Sequence, residues 1–235
     1  MLLAILETGE PPEALRSAYP DYGAMMERML APVAPRLSFA RWRALDGDVP
    51  RASEADAILI TGSAAGAYDG HHWIAPLEDL IRAAAAARKP QVGICFGHQV
   101  MAQAFGGEVA KSDKGWGVGV HDYDVVAQEP WMAPATGRVA CVVSHQDQVT
   151  TTPPSARVVA RSDFCPHAFL AYDHAPAMSM QPHPEFDHDY AAALYARRRG
   201  RMGEALVDEA LGTLKKRVDR ELLARWIATF LQTAR

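Results

Sequence analysis

The sequence predicts an α/β protein: a central, mostly parallel sheet with helices on both faces and a small antiparallel extension. Three observations predict it. Short apolar runs recur at residues 2–6, 57–60 and 91–94; they are continuous rather than alternating, as suits strands buried on both faces. Apolar stripes with helical spacing lie between and after them. From 115 to 172 the texture changes to short runs alternating with turns, which suits antiparallel strands.

Residues 2–6 form the first strand, ended by Glu7. The run is too short for the apolar core of a signal peptide and has no basic lead. Residues 57–60 form the next run, ended by Thr61-Gly62-Ser63. A helix follows, with Pro76 near its start and Leu77, Leu80, Ile81 and Ala84 on one face. Arg88 and Lys89 suit the negative end of its dipole, and Pro90 stops it. Residues 91–94 return as a strand, completing a βαβ unit that is right-handed by strong preference. The helix after Cys95 places Val100, Met101, Ala104 and Phe105 on one face and ends at Gly106-Gly107. Runs at 118–120, 140–143, 158–160 and 169–172 make the antiparallel layer, and 177–181 is a last apolar strand. Helices are expected at 190–199, about 203–218 and 221–232. The last has Leu222, Leu223, Trp226, Ile227, Phe230 and Leu231 on one stripe. All of 1–235 reads as one domain, with a core over about 1–190 and closing helices over about 190–235.

With 235 residues, 49% of them hydrophobic, the chain can bury a core without disulfides or metal, and it is too apolar for disorder. Asp plus Glu is 28 and Lys plus Arg is 24, a net charge of -4, which argues against wholesale nucleic-acid binding. No stretch approaches the roughly 18–20 apolar residues of a membrane helix. The 3 scattered cysteines make no disulfide framework and point to a reducing, cytoplasmic location.

Gly93-Ile94-Cys95-Phe96-Gly97 carries the most information. A strand runs into a cysteine flanked at two residues on either side by glycine, and a helix follows. This is the pattern of a nucleophile elbow, with sulfur in place of oxygen. Such a turn lifts the side chain at the carboxyl end of the sheet, where open α/β sheets bind ligands. The helix N-terminus favours the thiolate, and the Phe96 N–H is placed to meet an oxyanion. A buried structural cysteine is the competing reading. The proton carrier is expected in Gln181-Pro182-His183-Pro184-Glu185. His183 emerges after the last strand between two stiffening prolines, and Glu185 can orient its ring. A proline-rich surface turn competes there. His183, Glu185, Asp187, His188 and Asp189 also crowd together, but their spacing matches no hydrolytic zinc site.

Cys95 in Gly-Ile-Cys-Phe-Gly-His-Gln, followed downstream by His183-Pro184-Glu185, resembles the class I glutamine amidotransferases. The resemblance runs from about residue 2 to 186. Within the class the chain looks most like free-standing proteins related to the glutaminase domain of GMP synthase, and like γ-glutamyl peptidases. It implies a flavodoxin-like sheet and a triad of Cys95 as nucleophile, His183 as base and acid, and Glu185 as orienting group. Thr61-Gly62-Ser63 matches the family's oxyanion turn, with Ser63 standing where a second glycine is usual. The oxyanion donors would then lie around Gly62, Ser63 and Phe96. Gln99 matches a glutamine that holds the substrate's amino-acid end, and Ser144, His145 and Gln146 match a loop lining the same pocket.

The chemistry implied is hydrolysis of a glutamyl γ-amide through a thioester, with no metal and no cofactor. The partner is a small molecule, glutamine or a γ-glutamyl compound. The chain has no Gly-x4-Gly-Lys-Ser/Thr loop, so a nitrogen acceptor would be water or a separate synthetase chain. Three functions stay open: an amidotransferase subunit or free glutaminase, a γ-glutamyl peptide or amine hydrolase, and a non-catalytic binding protein. Loops at 62–73 and 144–154 are expected to overhang the pocket. The basic runs Arg197-Arg198-Arg199-Gly200-Arg201 and Lys215-Lys216-Arg217 read as solvated helix faces.

Overall fold

Strand β1 (Leu2–Leu6) is followed by helix α1 (Tyr22–Leu30), β2 (Ser38–Trp42), β3 (Ala57–Ile60), α2 (Ile74–Ala86), β4 (Gln91–Ile94) and α3 (Phe96–Ala104). Then come β5 (Glu108–Lys111), β6 (Gly117–Val125), β7 (Arg138–His145), β8 (Asp147–Thr151), β9 (Ala156–Arg161), β10 (Phe169–Tyr172) and β11 (Ala177–Met180). Four helices close the chain: α4 (His188–Arg197), α5 (Arg199–Met202), α6 (Glu204–Thr213) and α7 (Arg220–Thr233). The computed structural model describes residues 1–234.

Nine strands make one sheet in the order β2-β1-β3-β4-β11-β10-β9-β6-β7. The half from β2 to β11 is parallel, and every pairing beyond β11 is antiparallel. β5 and β8 pair separately as an antiparallel ribbon. This is the predicted α/β class with its antiparallel extension. The central strands β3, β4, β10 and β11 are buried at every position, which is why their sequences are continuous apolar runs.

Alternate side chains of the parallel strands feed two cores. Leu3, Ile5, Leu59, Val92 and Ile94 pack with Met26 and Leu30 of α1 and Leu223, Trp226 and Ile227 of α7. Ala4, Leu6, Ile58 and Ile60 pack with Leu77, Leu80 and Ile81 of α2 and Val100 and Met101 of α3. A third cluster joins β6 and β7 to α4 and α6 through Val118, Val142, Tyr190, Leu194 and Val207. No helix among the described residues is long and apolar enough to cross a membrane.

The structure corrects several boundaries. Residues 144–154 are not an overhanging loop: Ser144 and His145 end β7, Gln146 turns, and β8 runs back against β5. The helix expected to 218 stops at Thr213, because that hydroxyl docks on the sheet. It accepts from the Val120 N–H (2.9 Å) and donates to the Ala210 carbonyl (2.6 Å). α4 begins at His188, two residues early, because Asp187 caps it through the Tyr190 N–H (2.7 Å). Asp187 also accepts from the Tyr19 hydroxyl (3.2 Å), so its crowding with His183 and His188 reflects helix capping.

Candidate active site

The site lies at the carboxyl ends of β3, β4 and β11. Cys95 follows β4 directly and has φ 53 and ψ -101, a left-handed conformation rare for a side chain with a Cβ. Strain of this kind costs on the order of 1–3 kcal/mol and persists only where neighbours fix it. They do so here. The Cys95 N–H donates to the Met180 carbonyl of β11 (2.9 Å), and the Gly97 N–H donates to the Thr61 carbonyl after β3 (3.1 Å). A methyl group on Gly93 would lie 2.5 Å from the Gly97 carbonyl oxygen, and one on Gly97 would strike the Ile60 carbonyl. The two glycines flanking the elbow are therefore demanded by close backbone approach.

His183 emerges after β11, held by its N–H to the Val142 carbonyl of β7 (2.8 Å). Its Nδ1 is 2.7 Å from Glu185 Oε1, and both side chains are buried. The ring stacks flat on Phe186, with centroids 4.0 Å apart. Burial works to lower the His183 pKa, but the Glu185 charge and then Cys95 outweigh it, and the net shift is upward to about 10. The imidazolium is thus the favoured form. A methyl on Gly62 would lie 2.7 Å from His183 Cε1 and 3.7 Å from Cys95 Cβ, so the imidazole and the cysteine side chain share the space over this glycine.

The turn after β3 is locked from below. The Thr8 hydroxyl donates to the Thr61 carbonyl (2.9 Å), and the Thr8 N–H donates to the Thr61 hydroxyl (3.1 Å). The N–H groups of Ser63 and Phe96 donate to no other group of the described chain, which leaves both for a ligand. Sequence reasoning missed Gln181. Its Nε2 donates toward Cys95 Sγ (3.5 Å), while its Oε1 accepts from Gln99 Nε2 (3.1 Å). Gln99 also donates to the Asp147 carbonyl (2.9 Å). Both protons of the Gln99 amide are spent, and its oxygen is left as an acceptor.

Cys95, Ser63 and Gln99 line an open cleft together with Ser144, His145, Gln146 and Asp147. The sequence-predicted pocket residues therefore do converge. His145 lines it with restrictions: its Nδ1 lies 3.1 Å from the Asp147 carbonyl, and its Nε2 is buried with no partner. Burial, then His121 nearby, lowers its pKa to about 3, so its ring is neutral. The Ser144 hydroxyl accepts from Arg198 Nη1 (2.8 Å). Arg198 and Arg201 both line the cleft; Arg198 is half-buried there, which corrects its reading as part of a solvated helix face, while Arg201 stays exposed. Arg199 between them does turn outward, pairing with Glu204 and Asp208.

The sheet order, the cysteine elbow and the buried His–Glu pair make an α/β protein with a thiol and a carboxylate-bound imidazole at adjoining strand ends. The chain belongs to the class-I glutamine amidotransferase family, whose sequence profile matches residues 21–199. It is 27% identical to gamma-glutamyl peptidase 2 of Arabidopsis thaliana, over 74% of this chain and 73% of that protein. It is 33% identical to a glutamine-hydrolyzing GMP synthase subunit of Pyrococcus furiosus, over 42% of this chain and 52% of that protein. The crystal structure of a Thermotoga maritima glutamine amidotransferase shares the fold, with a TM-score of 0.74 at 20% identity, covering 98% of this chain and 95% of that one.

Proposed function

We propose that this chain hydrolyses the γ-amide bond of glutamine or a γ-glutamyl compound, with Cys95 as nucleophile, His183 as general base and acid, and Glu185 as the orienting group. One observation carries the reading: His183, tied at 2.7 Å to a buried carboxylate, shares the space over Gly62 with a thiol held in a strained elbow. Such an arrangement costs stability and has an evident use in nucleophilic catalysis.

The Cys95 sulfur adds to the γ-carbonyl carbon, and the carbonyl electron pair moves onto oxygen. The N–H groups of Ser63 and Phe96 receive that oxyanion, each worth about 3–4 kcal/mol in comparable sites. The tetrahedral adduct collapses with loss of ammonia or an amine, which takes a proton from the His183 imidazolium. A glutamyl thioester remains. His183 then takes a proton from water as its oxygen adds to the thioester. The C–S bond breaks, glutamate leaves and the thiolate returns. The Gln99 amide oxygen is the acceptor for the substrate's α-ammonium group.

Water is the favoured acceptor. The peptidase relatives align over most of this chain, whereas the GMP synthase relatives align over 42% of it. The second reading is an ammonia-producing subunit, favoured by the higher identity of 36% to a glutamine-hydrolyzing GMP synthase subunit of Methanothrix thermoacetophila over its shorter span. A screen of the purified chain against glutamine, γ-glutamyl dipeptides and γ-glutamyl amines separates the two. Turnover of at least one substrate without any added protein is expected. No turnover alone, with glutamine hydrolysis appearing on addition of cell extract, would establish the second reading instead.

A further inference from the structure

The motif residues account for the floor of the cleft but not for its rim. Lys111 ends β5, Trp116 lies just before β6, Arg198 follows α4 and Arg201 belongs to α5. All four line the cleft, the two arginines from the α4–α5 junction and the others from β5 and just before β6, and none belongs to the cysteine or His-Pro-Glu motif. Arg201 lies over the Trp116 ring, 4.9 Å from its centroid, which fixes a mobile guanidinium at the mouth. Arg198 is half-buried and uses one of its five N–H donors on the Ser144 hydroxyl.

None of the three cations has a carboxylate within ion-pairing distance among the described residues. The cleft does contain two acids, Asp69 and Asp147, but each is engaged by a donor of the 62–73 loop and neither pairs with a rim cation. Asp69 accepts from the Gly66 N–H (2.8 Å), and Asp147 accepts from the Tyr68 hydroxyl (3.0 Å). The rim thus presents three cations free of carboxylate partners among the described residues, with Arg198 half-buried and Lys111 and Arg201 exposed, above the floor that carries Cys95 and Gln99. Guanidinium forks are well matched to planar carboxylates, and they repel a cationic amine.

We propose that the rim formed by Lys111, Arg198 and Arg201 on Trp116 binds a carboxylate carried by the leaving amine, so that the preferred substrates are γ-glutamyl amino acids or peptides with a free carboxylate. This rests on the γ-glutamyl hydrolase reading and adds the charge of the leaving group to it. Glutamine lacks that charge, and a γ-glutamyl polyamine has the wrong sign.

The test compares γ-glutamylglycine with γ-glutamylglycinamide, which differ only in that carboxylate. For the natural chain, kcat/KM is expected to be at least tenfold higher for the acid, mostly through KM. In the K111Q/R201Q double variant, whose two sites are exposed, the ratio is expected to fall to within twofold of one. Equal use of the two compounds by the natural chain overturns the proposal. So does an equal loss on both compounds and on glutamine in the variant, since the cations would then hold the glutamyl group's own carboxylate.

Should the chain turn over none of them, the hydrolase reading fails on its own. The rim is then judged by protection of Cys95 from iodoacetamide. Protection by γ-glutamylglycine at concentrations tenfold below those of the glycinamide supports it, and equal protection or none overturns it.

Discussion

His98, His145 and His183 are all buried, yet the charges around them differ. Burial lowers His98 to about 3 and His145 to about 3, so both rings are neutral at neutral pH. His183 alone of the three has a carboxylate on one nitrogen and a thiol beyond, and it is raised. His183→Ala is therefore expected to abolish turnover, by three or more orders of magnitude in kcat, as for a base that moves protons at each step. Glu185→Gln keeps the ring in place and should retain activity at least tenfold above His183→Ala, measured as steady-state kcat. The cysteines differ in the same way. Burial pushes Cys141 well up and Cys165 to about 12, while Cys95 lines the cleft. A glutamine-like electrophile should label Cys95 and leave the other two unmodified, as read by peptide mass mapping. The proposed triad was legible because each part sits in a contiguous motif beside a strand end. Gln181 was not, since its contact with Cys95 arises from the pairing of β11 with β4 and has no local signature.

The strands with continuous apolar runs, β1, β3, β4 and β10, match the sequence reading at both ends, and β11 stops one residue short of it. Helix α1 and strand β2 carry no such signal. β2 is the sheet edge, partly exposed, with Ser38 and Arg41 on it. Among the described residues its only strand partner is β1, which is non-local information. The junction between β1 and α1 holds a buried acid. Glu7 accepts from the Gly23 N–H (3.0 Å). Burial, then Asp21 beside it, raises its pKa from 4.5 to about 7, against the lowering pull of Gly23 and Arg41. A folded-state pKa above the unfolded one means that protonated Glu7 stabilises the fold. That contribution is full below about 4.5 and is lost as pH rises through about 7. Thermal unfolding from pH 4.5 to 7.5 should show a decline in Tm that Glu7→Gln flattens.

The whole molecule is organised about β11, which pairs parallel with β4 and antiparallel with β10. Cys95, the proposed nucleophile, follows β4 and His183, the proposed base, follows β11, so relative placement of the two rests on one strand pairing. The C-terminal helix adds a brace. Asp219 joins α7 to β7 by two bonds to Ala140, each 2.8 Å, and Arg220 reaches the carbonyls of Pro184 (3.1 Å) and Glu185 (3.4 Å). Arg220 lies beyond the residues matched to the family, and nothing in its own sequence context marks it. Arg220→Ala is expected to lower kcat several-fold with KM little changed. Arg220→Lys should recover part of that loss, and circular dichroism should be unaltered in both.

The division between floor and rim has a consequence for descent. Cys95, His183 and Glu185 are set by β4, β11 and the glycines that crowd the elbow, where almost any replacement collides with backbone. Lys111 and Arg201 stand on the short elements β5 and α5, and Trp116 just before β6, outside the strands that carry Cys95 and His183. On the proposed roles, bond cleavage and choice of leaving group would be inherited through different parts of the chain. A lineage can trade one leaving group for another by a handful of surface replacements while the cleavage machinery passes on unaltered.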